Sequence, residues 1–233
     1  LSMGGCFLEK KFNSKALNNI YLGRDLFDSY SEKKFINYVK KKKNFKLNYN
    51  FSQKNAANLL AKGEILAVAR GREEFGARAL GNRSILADPS NIKIVQKINE
   101  LIKNRDFWMP FALTILKEKH KKFLINKKNI NSEYMTVGYD TVEKMHGLIE
   151  AGTHRYDKSV RPQILEKKAN SNYYNLINEF YKKKKIPALL NTSLNLHGFP
   201  IASTIKEVLQ TFENSDLKYL YINDKYLIKK KTI

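Results

Sequence analysis

Short, wholly apolar segments alternate with amphipathic helical stretches along most of the 233-residue chain, and that alternation restricts it to one sheet covered by helices. Residues 31–42 predict a helix with Phe35, Ile36 and Val39 on one face. A second helix over 55–62 is stopped by Gly63, and a buried strand follows at 65–69. Residues 91–102 predict a helix whose stripe is Ile94, Val95, Ile98, Leu101 and Ile102, entered through a turn and cap from Asp88, Pro89 and Ser90. A strand is expected at 111–116, with shorter extended pieces at 148–151 and 163–165. The helix over 172–183 turns Tyr173, Tyr174, Ile177, Phe180 and Tyr181 inward and carries lysines at its negative end. A strand at 188–190 precedes a helix over 204–212, opened by a capping box of Thr204 with Glu207. Residues 218–222 and 226–228 close the chain as a hairpin across Asn223 and Asp224. The expected class is α/β (α+β), with one mixed sheet and no internal repeat.

Several functions are excluded by composition. No run approaches the roughly 18–20 uncharged apolar residues needed to span a bilayer, and the first thirty residues lack the order of a signal peptide, so the expected location is cytoplasmic. Cys6 is the only cysteine, and His120, His146, His154 and His197 have no ligand spacing, which leaves neither an intrachain disulfide nor a metal site to expect. The net charge of +21 calls for anionic partners or reflects a general basic bias. Most of the excess is lysine in runs at 40–43, 182–185 and 229–231, which suit solvated helix ends and a tail, or contact with nucleic acid.

The arginines are distributed differently. Residues 71–84, GREEFGARALGNRS, hold three glycines and three arginines in fourteen positions directly after a strand. Glycine lets backbone approach a ligand, and guanidinium offers a fixed positive charge with a two-pronged donor matched to phosphate oxygens. Phosphate binding by Arg72, Arg78 and Arg83 is one reading; structural bridges to Glu73, Glu74 and Asp88 are the other. Lys103 and Arg105 adjoin the aromatic run Phe107, Trp108 and Phe111, which is pocket wall or simple core packing. In Arg161-Pro162-Gln163 the proline holds the chain extended and projects Arg161 and Gln163 to one side. Asn191, Thr192, Ser193 and Asn195 follow a strand, where loops bind ligands or merely satisfy their own backbone.

Taken in order, these segments resemble the C-terminal part of the nodulation-factor and antibiotic O-carbamoyltransferases (NodU/CmcH type). Residues 71–89 are similar to that family's signature almost residue for residue, and 103–112, 161–163, 191–195 and 215–217 match in sequence and spacing. The resemblance implies a YrdC-like twisted mixed sheet flanked by helices, over residues 28–233. Residues 1–27 would be the end of a preceding actin/hsp70-like transfer domain and a linker. That earlier domain would carry its own metal in the missing part of the longer chain and pass the carbamoyl group to an acceptor hydroxyl.

The implied substrates are carbamoyl phosphate and ATP with Mg²⁺, converted to carbamoyl-adenylate in a positive cavity. Arg72, Arg78, Arg83 and Arg161 would neutralise phosphates. Lys103 and Arg105 would stabilise charge on the leaving group, while Ser84, Asn191, Thr192, Ser193 and Asn195 orient phosphate, ribose or magnesium. The chain departs from the family at Ala77, Met109 and Lys158, and in the order of Phe107 and Trp108. The alternatives are a YrdC-like module that binds RNA, and an enzyme forming threonylcarbamoyl-adenylate for tRNA modification.

Overall fold

The computed structural model describes residues 9, 17, 19–103 and 110–231. Its frame is an eight-stranded mixed sheet. The elements run α1 (Glu32–Lys41), β1 (Phe45–Asn48), α2 (Gln53–Ala61), β2 (Leu66–Ala69), β3 (Arg83–Ala87), α3 (Lys93–Ile98) and β4 (Ala112–Leu116). They continue with β5 (Leu124–Ile125), β6 (Asp140–Thr141), α4 (His146–Ile149), β7 (Gln163–Leu165), α5 (Ser171–Lys184), β8 (Ala188–Ser193), α6 (Ile205–Glu213), β9 (Tyr219–Ile222) and β10 (Tyr226–Lys230). The large sheet is ordered β1-β10-β9-β2-β3-β8-β4-β7, and β5 pairs separately with β6. Pairs β2/β9 and β4/β7 are parallel and the other pairs of the large sheet antiparallel.

Alternation along the strands builds two cores. In β2, Ala67 and Ala69 join Phe35, Ile98, Val208 and Phe212 on one side, beneath α1, α3 and α6. Leu66 and Val68 join Leu60, Tyr173, Ile177 and Phe180 on the other, beneath α2 and α5. Successive side chains point to opposite faces of a strand, so four consecutive apolar residues serve both layers. This is the YrdC-like mixed α/β architecture expected from the sequence.

Local signals held where local chemistry sets the element. The capping box at Thr204 and Glu207 is present. Asn223 and Asp224 both take positive φ (46° and 54°), the geometry of a tight hairpin turn between β9 and β10. The strand expected at 188–190 runs on to Ser193, so Asn191, Thr192 and Ser193 are strand residues and not a loop after it. Two further expectations need correction. Residues 148–151 are helical rather than extended, lying in α4 and the 3-10 turn Glu150–Gly152. This turn is fixed from outside: the Ala151 N–H reaches Pro89 O at 2.9 Å, and a Cβ on Gly152 would lie 2.3 Å from a Leu113 methyl. The helix expected over 91–102 is α-helical only to Ile98 and continues as a π-turn over Asn99–Lys103, which carries Lys103 inward to 1% exposure.

Candidate functional site

The Gly/Arg segment links β2 to β3, and its shape is set by one buried carboxylate. Glu74 is buried, and its Oε1 accepts the N–H groups of Leu80 (2.7 Å), Asn82 (2.6 Å) and Arg83 (3.2 Å). Burial pushes the Glu74 carboxyl up, against the pull of those N–H groups. Gly81 takes φ 108°, and a Cβ there would sit 2.1 Å from the Tyr173 ring, so no other residue fits. Tyr21 ties the arriving chain to the same loop by donating its hydroxyl to Leu80 O at 2.8 Å. At the start of the loop, Arg70 is buried with its guanidinium 3.0 Å from Asp224.

The three arginines of this segment have three different environments. Arg83 is fully buried and donates to four backbone carbonyls: Arg70 O (2.7 Å), Asn82 O (2.9 Å), Gly71 O (3.0 Å) and Ser203 O (2.8 Å). Arg72 donates to Leu22 O and Gly23 O at 2.6 and 3.0 Å. Arg78 lies exposed and makes no hydrogen bond or salt bridge among the described residues. The bridges to Glu73, Glu74 and Asp88 that the sequence allowed do not form among the described residues; Asp88 pairs instead with Lys184 at 3.1 Å.

Arg78 and Arg161, far apart in sequence, meet at a hollow of about 100 Å³. Arg161, two residues before β7, is also without a salt bridge among the described residues. Burial pulls the Arg78 pKa down, and the positive charge of Arg161 pulls it further. Two guanidinium groups at one hollow, with no carboxylate between them among the described residues, suit an anion. Asn191, Thr192 and Ser193 at the end of β8 line the same hollow, with Pro110, Phe111 and Ala112 at the entry to β4. Met135 lines it as well, buried and in the left-handed region at φ 57°, a conformation held only by its surroundings.

Behind Ser193 lies Lys103. Its Nζ donates to Ser193 Oγ (3.1 Å), Asn195 Oδ1 (2.6 Å) and Asn195 O (3.3 Å). Asn195 is itself fixed by donating to Leu196 O and Phe199 O. Ser84 is buried and accepts the Gly81 N–H at 2.9 Å. The structure thus brings Arg78, Arg161, Asn191, Thr192 and Ser193 to one hollow with Lys103 and Asn195 adjoining, and sets Arg72, Arg83 and Ser84 in the loop's own framework. Arg105, Phe107, Trp108 and Met109 lie outside the described residues.

Glu74, Arg70 with Asp224, and Met135 were not legible as site builders. Glu74 carried a faint signal, an acid inside a glycine-rich segment full of N–H groups needing acceptors. The departure at Lys158 falls on a left-handed residue at φ 56°. Three larger hollows, of about 460, 530 and 300 Å³, contain none of the candidate substrate-binding or catalytic residues named from the sequence. Among the described residues no group of three or more His, Cys, Asp or Glu could hold a metal, and no helix is long and apolar enough to cross a membrane.

A small hollow edged by two guanidinium groups at the strand ends of a mixed α/β sheet has the chemistry to take an anion. The model of the carbamoyltransferase C-terminus matches residues 57–230, and the chain belongs to that family. It is 34% identical over 233 residues to an uncharacterized protein of Methanocaldococcus jannaschii, covering 99% of this chain and 44% of that one. It is 37% identical over 178 residues to the nodulation protein NolNO of Sinorhizobium fredii, covering 76% of this chain and 26% of the relative. The chain therefore spans less than half the length of these relatives. A full-length HypF solved in its phosphate- and nucleotide-bound form has the same fold at 15% identity, with a TM-score of 0.50 over 74% of this chain and 21% of that one.

Proposed function

We propose that this chain is the adenylate-forming part of an O-carbamoyltransferase, making carbamoyl-adenylate from carbamoyl phosphate and ATP. The observation that carries the reading is the convergence of Arg78 and Arg161, with no carboxylate paired to either among the described residues, on a hollow lined by the polar end of β8. In the first step water releases phosphate from carbamoyl phosphate and leaves carbamate. A carbamate oxygen then attacks the α-phosphorus of ATP, forming the new P–O bond as the α–β bridging bond breaks, and pyrophosphate leaves with the electron pair. Arg78 and Arg161 hold the phosphoryl oxygens and balance the charge that gathers on them. Thr192 donates its hydroxyl proton to the same oxygens, while the Ser193 hydroxyl donates to Asn195 Oδ1 at 2.6 Å. Lys103 and Asn195 are positioning residues that act through Ser193. Arg72, Arg83 and Ser84 shape the loop, and ATP brings Mg²⁺ with it as substrate. The HypF neighbour solved with nucleotide and phosphate supports the nucleotide part of this reading.

The carbamoyl group would pass to an acceptor hydroxyl in a preceding domain, to which residues 1–27 belong, while 28–233 form the adenylate-making unit. The test is exchange of labelled pyrophosphate into ATP. Exchange that requires carbamoyl phosphate and disappears in Arg78→Ala and Arg161→Ala is expected. Exchange that requires threonine and bicarbonate would favour the tRNA-modifying alternative, and no exchange together with RNA binding that survives 0.3 M salt, about twice physiological ionic strength, would favour the RNA-binding one.

A further inference from the structure

Asn191 is 1% exposed and lines the hollow from β8. Its amide is held at one end only. Nδ2 donates to Ala79 O at 3.0 Å and to Thr114 Oγ1 at 3.1 Å, while Oδ1 is buried without a partner.

The orientation of that amide follows from its neighbours. Ala79 O can only accept. Thr114 Oγ1 donates its one proton to Gln163 Oε1 at 3.0 Å, and Gln163 is oriented in turn because its Nε2 faces Leu80 O at 3.4 Å. Both groups opposite Nδ2 therefore require a donor, and turning the Asn191 amide over would set oxygen against oxygen twice. The unfilled atom is a buried acceptor, fixed in place, on a residue that lines a hollow whose charged members among the described residues are the cations Arg78 and Arg161.

Such a site asks two things of one small ligand. Phosphoryl oxygens suit the guanidinium groups and are repelled by a carbonyl oxygen, so a bare anion leaves Oδ1 unfilled. A compound with anionic oxygens at one end and an N–H at the other satisfies both. Carbamoyl phosphate has that pattern, whereas acetyl phosphate has the same shape with a methyl group in place of the amine.

We propose that Asn191 Oδ1 accepts a hydrogen bond from the amide N–H of the carbamoyl group and so selects carbamoyl phosphate over acyl phosphates of equal size. This rests on the reading of the hollow as a carbamoyl phosphate site. A site that pairs a buried polar atom with its ligand rejects the analogue lacking the partner by roughly tenfold or more.

The experiment is calorimetric titration of the protein with carbamoyl phosphate, acetyl phosphate and inorganic phosphate. The expected result is carbamoyl phosphate binding about tenfold or more tighter than acetyl phosphate, with that ratio falling below about threefold in Asn191→Ala. Equal binding of the two acyl phosphates by the wild-type protein, lost in Arg161→Ala, would overturn the role of Asn191 while leaving the anion site standing. Failure of the wild-type protein to bind any of the three would remove the carbamoyl phosphate reading and this assignment together. A ratio that stays above about tenfold in a folded Asn191→Ala would also overturn it. A wild-type ratio near one overturns the assignment even if Asn191→Ala does not fold.

Discussion

Arg83 and Arg78 sit five residues apart in one motif, and replacing each with methionine should break different things. Arg83→Met removes a guanidinium that serves four carbonyls. Gly71 O keeps the Leu26 N–H and Asn82 O keeps the Arg70 N–H, but Arg70 O and Ser203 O lose their charged donor outright. At about 1–3 kcal/mol for each orphaned buried carbonyl, the expected destabilisation is about 2–6 kcal/mol. Arg78 is exposed and bonded to nothing among the described residues, so Arg78→Met should move stability by less than about 0.5 kcal/mol. It should instead weaken inorganic phosphate binding by about tenfold or more, the worth of one charge-assisted hydrogen bond. Urea unfolding at constant slope measures the first effect and phosphate titration of the folded protein the second. Arg83→Met with unchanged stability and abolished phosphate binding would refute the division of labour between the two.

Two further outcomes follow from the same loop. Gly81→Ala forces a Cβ to within 2.1 Å of the Tyr173 ring at a left-handed backbone position, and should cost about 2–6 kcal/mol, read as a fall of several degrees in Tm. A variant as stable as the wild type would mean that Tyr173 moves freely. Burial holds the Glu74 carboxyl above its ordinary 4.5, so the fold favours its neutral form. The stability this contributes is full below pH 4.5 and is lost as pH rises through the raised value, so the wild-type advantage over Glu74→Gln should shrink with increasing pH. An advantage that grows with pH in paired unfolding curves would show that the loop's N–H groups outweigh burial.

The elements legible in the sequence are those governed by neighbours along the chain. Ser31, Asn170 and Thr204 cap their helices with side-chain oxygens, and the expected bounds of those helices fall within two residues of the observed ones. Strand β3 was obscured because Arg83 and Ser84 read as loop chemistry, yet both are buried strand residues. The 148–151 segment was decided by Leu113 and Pro89, which no local pattern reports. At the site, several of the named segments come to one hollow, but their roles were not separable from the sequence. Arg72, Arg78 and Arg83 look alike in sequence, and only the carbonyls contributed by residues 22, 23, 70 and 203 set two of them apart from the third.

Arg78 and Arg161 are proposed to grip one phosphoryl group between them. A crystal structure of the protein with carbamoyl phosphate or inorganic phosphate tests it most directly. Phosphate oxygens are expected within about 3 Å of both guanidinium groups and of the Thr192 hydroxyl. Phosphate bound at Arg72 or at the lysine runs, with the hollow beside Asn191 left to water, would contradict it.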